Sequence, residues 1–191
     1  HFRSALALGH PSTGALHEAM GDLQTLQGDY TAALDSYAQA RAALTPESSA
    51  ATRATLDHKL GNVYQRRGDW DLAEEHFAAA LQVLGSADSA AARARIYADW
   101  SLTAHHRGET GRALELAQQG LALAEAAGDS RALAQAHNIL GILASSREDL
   151  EEARRHLERS LTLAEAQGDP GARAAALNNL AMAYGAHGQY D

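Results

Sequence analysis

The chain has 191 residues, a formal charge of −8 and no cysteine. That charge argues against the nucleic-acid backbone as a direct partner, because phosphate binding needs a basic stripe. The missing thiols exclude a disulfide framework and thiol chemistry. Alanine is abundant, aromatics are 5% and prolines number three, so helix is favoured by side chains that lose little rotamer freedom there. No stretch has the eighteen or so apolar residues of a membrane span. "HFRSALALGH" is too short and polar for a signal peptide. The expectation is a cytoplasmic, non-membrane piece of a longer protein.

In chain order, residues 1–13 read as the tail of a preceding unit, where "LALGHP" echoes the later "AEAQGDP". Four units follow, over 14–53, 54–93, 94–133 and 134–173, and residues 174–191 open an incomplete fifth. The register is uninterrupted: Gly21, Gly61, Ser101, Gly141 and Ala181 stand 40 residues apart. Seven residues later come Gly28, Gly68, Gly108, Glu148 and Gly188, each followed by Asp29, Asp69, Glu109, Asp149 or Gln189. Ala33, Ala73, Ala113 and Ala153 share the grid, and four residues on are Tyr37, Phe77, Ala117 and Leu157. A fixed period of this size means a solenoid of stacked units.

Each unit reads as two helices. Leu56, Leu60, Val63 and Tyr64 recur at helical spacing in the first of unit two; Leu72, Ala73, Phe77, Ala80, Leu81 and Leu84 do so in the second. Gly68-Asp69 stops the first helix, since Gly adopts the left-handed conformation that ends one. The small residue at Gly61 or Gly141 leaves a gap where a side chain of the partner helix seats. "GDS" at 128–130 and "GDP" at 168–170 join a terminating Gly to a capping Asp, and Pro170 takes the first helical position. First helices should therefore start near Ser49, Ser89, Ser130 and Pro170 and run about eighteen residues, with second helices of about fifteen. The added length is expected in the first helix.

These residues resemble the tetratricopeptide repeat, whose pattern is W-x2-L-G-x2-Y, then A-x3-F, on a 34-residue period. Leu60-Gly61-x2-Tyr64 with Ala73-x3-Phe77 carries the likeness best; Leu140-Gly141 with Ala153-x3-Leu157 carries it less fully. The initial Trp is absent, its place taken by His17, Asp57, Tyr97, His137 and Leu177. The 40-residue period is similar to the long-repeat branch of LGN/Pins polarity scaffolds and kinesin light chains, and to repeat arrays of bacterial STAND-type signalling ATPases and SARP-type activators. The resemblance implies an all-α, right-handed superhelical solenoid of antiparallel helix pairs. It implies a scaffold or sensor module holding a protein or peptide segment in a concave groove lined by first helices. Self-association through the unfinished end, where Leu177, Leu180 and Tyr184 are short of cover, is the alternative.

The resemblance carries groove positions onto Glu18, Asp22 and Thr25; onto His58, Lys59, Asn62, Gln65 and Arg66; onto Arg95, Asp99, Leu102, His105 and His106; onto Gln135, Asn138, Ile139 and Ile142; and onto Asn178, Asn179 and Met182. Asn62, Asn138, Asn178 and Asn179 can donate and accept at once, which suits an extended peptide backbone. Lys59, Arg66 and Arg95 are expected as a small basic cluster for a carboxylate, although solvated inner-face polar groups are the plain alternative. The ten histidines include no His-x3-His and no HExxH, so no metal is expected. His105 and His106 point to different helix faces. The run 147–156 pairs Glu151 with Arg155 and Glu152 with His156 on a solvated outer face. No phosphate loop or nucleophile elbow occurs, so neither cofactor nor enzymatic activity is expected.

Overall fold

A computed structural model describes residues 13–85 and 89–186. The predicted tail of a preceding unit, up to residue 12, and the Gly188–Gln189 turn lie outside the described residues. The chain divides into two units, the first ending at Gly85 and the second beginning at Ser86.

The first unit holds α1 (Thr13–Leu26), α2 (Tyr30–Ala42), α3 (Ala50–Arg67) and α4 (Trp70–Leu84). The second holds α5 (Ala90–His106), α6 (Thr110–Ala127), α7 (Ser130–Ser146), α8 (Leu150–Gln167) and α9 (Pro170–Ala186). No strand occurs among the described residues. The protein is an all-α solenoid of antiparallel helix pairs, as the register requires. Within each unit consecutive helices pack, and in the second unit α7 also touches α5 and α9. First helices of successive repeats there stand side by side, with second helices behind them.

The start sites follow the capping chemistry. Asp29, Ser49, Asp129 and Asp149 each accept a hydrogen bond from the backbone N–H three residues on. Ser89 precedes α5 as expected but makes no capping bond with its side chain. Helix lengths meet expectation in part, and the second helix α4 runs 15 residues. The first helices α3, α5, α7 and α9 span 17 or 18 residues, but α6 and α8 also run 18 rather than about fifteen. Nothing in "LALAEAAGD" breaks α6 before Gly128, so much of the added period lies in the second helix.

The small-residue grid is the packing code. A Cβ on Gly21 would fall 2.5 Å from the Tyr37 ring, one on Gly61 2.5 Å from Phe77, and one on Gly141 2.5 Å from Leu157 Cγ. Each large side chain lies directly on helix backbone, and Tyr37, Phe77 and Leu157 are almost fully buried. In the third repeat the volumes are exchanged: Ser101 fills the Gly position and Ala117 the large one, both buried. Ala33, Ala73, Ala113 and Ala153 are wholly buried at the second close approach. Leu72, expected on the apolar stripe of α4, is instead 41% exposed.

The turn within each pair is also repeated. Asp29, Asp69, Glu109 and Asp149 donate backbone N–H bonds of 2.9–3.1 Å to the carbonyls of Gln24, Tyr64, Ala104 and Ala144. That closure needs a left-handed residue just before the donor. Gly28, Gly68 and Gly108 supply it with φ of 78°, 82° and 79°, but Glu148 must adopt φ 62°. Non-glycine residues pay about 1 kcal/mol or more for that conformation. Glu148→Gly is therefore expected to stabilise the chain by about 1 kcal/mol, read as a higher urea midpoint. An unchanged or lower midpoint would show that the turn carries no such strain.

Candidate functional site

In the first unit the proposed groove positions lie on α1 and α3, and their charges are already matched. Lys59 Nζ donates to Glu18 Oε1 at 2.6 Å and to Asp22 Oδ2 at 2.8 Å. Burial alone would lower the Lys59 pKa, but the hydrogen bonds and charges of Asp22 and Glu18 outweigh it and raise it. Tyr37 Oη donates to Asp22 Oδ1 at 2.7 Å. Burial, with the Asp22 and Glu18 carboxylates beside it, pushes the Tyr37 hydroxyl far up. Lys59 thus anchors α3 to α1 rather than standing ready for a foreign carboxylate.

The other basic residues expected with it are separated in role. Arg66 is exposed in the last turn of α3. Arg95, in the second unit, has Nη1 3.7 Å from Asp129 Oδ2. His58 packs edge-on against the Phe77 ring at 5.9 Å between centroids. Asn62 is the polar group left over: its Oδ1 is buried without a hydrogen-bond partner, a costly state that a donor from outside would relieve.

Behind this row Asp57 replaces the Trp of the repeat pattern. It accepts or shares a 3.0 Å hydrogen bond with His76 Nδ1 and lies 3.4 Å from Arg41 Nη1. His76 also stacks on Tyr64 at 5.3 Å. A polar knot thereby ties α2, α3 and α4 where an indole would otherwise fill space.

In the second unit, α5, α7 and α9 bring several named residues to one place. His105, Ile142, Asn179 and Met182 line a cavity of about 210 Å³ with Ser145, Ser146 and Leu157. Asn179 Nδ2 donates to Asn138 Oδ1 at 2.9 Å, so these two amides face each other across adjacent first helices. Asn178 is exposed, its Nδ2 3.5 Å from Met182 Sδ. Asp99 Oδ1 accepts from Gln135 Nε2 at 2.6 Å. Burial, then the neighbouring His106, lowers the His105 pKa. The His105 and His106 rings lie 5.7 Å apart, one half-buried and the other exposed.

Three expectations need correction. Ile139 is only 4% exposed and belongs to the core with Leu140 and Leu143, so it offers nothing to a ligand. Leu180 is 9% exposed, covered by Leu157 and Ala183, whereas Leu177 is 43% exposed and Met182 64%. Glu151 pairs with Arg154 at 3.0 Å, not with Arg155. His156 lies 4.0 Å from Glu152, yet its ring is turned inward, with Nδ1 2.9 Å from His137 Nδ1. Ser145 and Ser146 escaped the sequence reading although they follow Ile142 by three and four residues, the helical spacing that puts them on its face.

Among the described residues no group of three or more His, Cys, Asp or Glu side chains is placed to hold a metal. No described helix is long and apolar enough to cross a membrane.

The tetratricopeptide repeat model matches residues 52–126 and 132–191. No curated protein sequence matches the chain. Among solved structures, BtubC (BKLC) from P. vanneervenii is 24% identical with a TM-score of 0.72, over 98% of this chain and 80% of that one. A putative kinesin light chain of Podospora anserina with nearly identical TPR-like repeats is 19% identical with a TM-score of 0.65, over 94% and 89%. The Rap conjugation gene regulator of plasmid pLS20, solved in complex with the Phr* peptide, is 13% identical with a TM-score of 0.70; the match covers 92% of this chain and 53% of that one. These likenesses carry the fold, and the family match covers most of the sequence. With the helix pairs, the Gly–aromatic seats and the repeated turn, they establish that the chain belongs to the tetratricopeptide repeat family.

Proposed function

We propose that this chain is a non-enzymatic binding module that holds a peptide or protein segment against its first helices, within a larger cytoplasmic regulator. The observation that carries this reading is the cavity of the second unit. Ile142 and the 64%-exposed Met182 offer apolar contact there, and the Asn138–Asn179 amide pair stands beside it with donor and acceptor capacity to spare. The buried, unpartnered Oδ1 of Asn62 supports the same use of α3. The peptide complex of the Rap conjugation regulator supports this kind of ligand for this kind of fold.

The test is selection of a displayed random-peptide library on the whole chain, followed by affinity measurements on variants. Ile142→Asp with Met182→Asp is expected to weaken selected peptides at least tenfold, about 1.4 kcal/mol, with helical circular dichroism unchanged. Asn62→Ala with Asn138→Ala should also weaken them. Undiminished affinity in both double variants would sink the reading.

A second reading, self-association, draws on the exposed Leu177 and Met182 of α9. It expects a mass that rises with concentration in sedimentation equilibrium and falls back to the monomer in Leu177→Glu/Met182→Glu.

A further inference from the structure

The second unit carries a basic cavity that shares no residue with the candidate groove. It is open, about 380 Å³, and is lined by His137 of α7 and by Arg155, His156, Glu158, Arg159 and Thr162 of α8. Around α7, Asn138, Ile142 and Ser145 lie about 80–140° from His137, so the two cavities use different faces of that helix.

The acids of α8 near the cavity pair with other arginines, although Glu152 also stands 4.0 Å from His156 Nε2. Glu151 and Glu158 pair with Arg154 at 3.0 and 3.3 Å, and Glu152 pairs with Arg147 at 2.5 Å. Glu158, although on the wall, turns its carboxylate to that outer arginine. Thr162 donates its hydroxyl hydrogen to the Glu158 backbone carbonyl at 2.9 Å. Arg155 and Arg159 are exposed one helical turn apart, with no acid paired to either among the described residues. Like charges at that spacing repel, and in a chain of formal charge −8 the surplus is local. The same cavity is lined by two half-buried imidazoles, Nδ1 to Nδ1 2.9 Å.

We propose that Arg155, Arg159 and the His137–His156 pair form a binding site for a phosphoryl dianion, borne as free phosphate or on a small phosphomonoester. Two guanidinium forks match the several acceptor oxygens of that group, which a single carboxylate does not fill. The bound dianion offsets the Arg155–Arg159 repulsion, and a neutral imidazole can donate its N–H to it. The charged groups facing the pair are Glu152, Arg147, Arg155 and Arg159, and only the last two are free to meet a ligand.

The test is NMR of the imidazole and guanidinium nitrogens of the whole chain, titrated with inorganic phosphate and with phenyl phosphate at constant ionic strength. Saturable shifts at His137, His156, Arg155 and Arg159 are expected at about pH 8, where the added phosphate is the dianion. Arg155→Gln/Arg159→Gln should weaken the phosphate response at least tenfold with helicity intact. A tighter response to phenyl phosphate assigns the site to an ester, and an equal one to free phosphate. Linear shifts that sodium chloride reproduces would overturn the proposal, as would a saturable response that survives in the double variant.

Discussion

Gly61→Ala is expected to destabilise the chain by about 1–3 kcal/mol, the range for forcing extra volume into a packed core, although alanine is the better helix former by about 1 kcal/mol. The added Cβ would stand 2.5 Å from Phe77 Cε1 and 2.7 Å from Cδ1. Phe77 is wholly buried against its neighbours, so the ring has nowhere to retreat. Phe77→Ala alone should cost about 3–5 kcal/mol through lost burial and the cavity left behind. Made in that background, Gly61→Ala changes sign and stabilises by up to about 1 kcal/mol, because the clash has gone and helix propensity remains. Gly61→Ser with Phe77→Ala reproduces the Ser101–Ala117 pairing of the third repeat and should recover part of the loss. Urea midpoints for the four corners of the cycle measure the coupling directly. Additive midpoints would mean that the glycine is not there for the ring.

The legible part of this protein is the part set by small volumes and by backbone. The Gly21–Tyr37, Gly61–Phe77 and Gly141–Leu157 seats recur on a fixed grid, because a close approach of two helices leaves few residue types to choose from. The Gly–Asp turns are legible for the same reason, and Glu148 shows the geometry persisting where the residue does not suit it. Long polar side chains were not legible as individuals. Lys59 stands at a groove position, but rotamer freedom lets it reach back one repeat to Glu18 and Asp22. The period itself holds the missing signal. Asp99–Gln135, Asn138–Asn179 and Glu18–Lys59 are separated by 36, 41 and 41 residues, close to one repeat. Stacked first helices place such positions beside each other, so polar residues about 40 apart satisfy one another before any ligand arrives. His137 and His156, one on each helix of a pair, follow no such spacing, and the local i, i+4 pattern hid their contact by pointing to Glu152.

That histidine pair gives the strongest expected response to pH. Its Nδ1 atoms are 2.9 Å apart, so one donates and the other accepts, which requires a neutral ring on the accepting side. Burial, then the His156 ring and Arg159, lowers the His137 pKa to about 4. Burial, then Arg155, lowers that of His156, against the pull of Glu152. Once unfolded, both rings take protons near the usual value of about 6.5. Between those limits the unfolded chain binds more protons than the folded one, so stability falls as the pH falls. The contribution is whole above about pH 6.5 and spent near pH 4, about 2 kcal/mol after allowance for partial solvent contact. The carboxylates act in a lower window. Asp169 is held below its ordinary 3.8 by the backbone N–H of Ala172 and by Arg131, so its share is lost only at more acid pH. Urea midpoints at pH 7, 5.5 and 4.5 in phosphate-free buffer should therefore drop steeply for the native sequence and much less for His137→Gln/His156→Gln. Parallel drops in the two would place the acid sensitivity in other groups, His105 first among them, because it too is held neutral by burial.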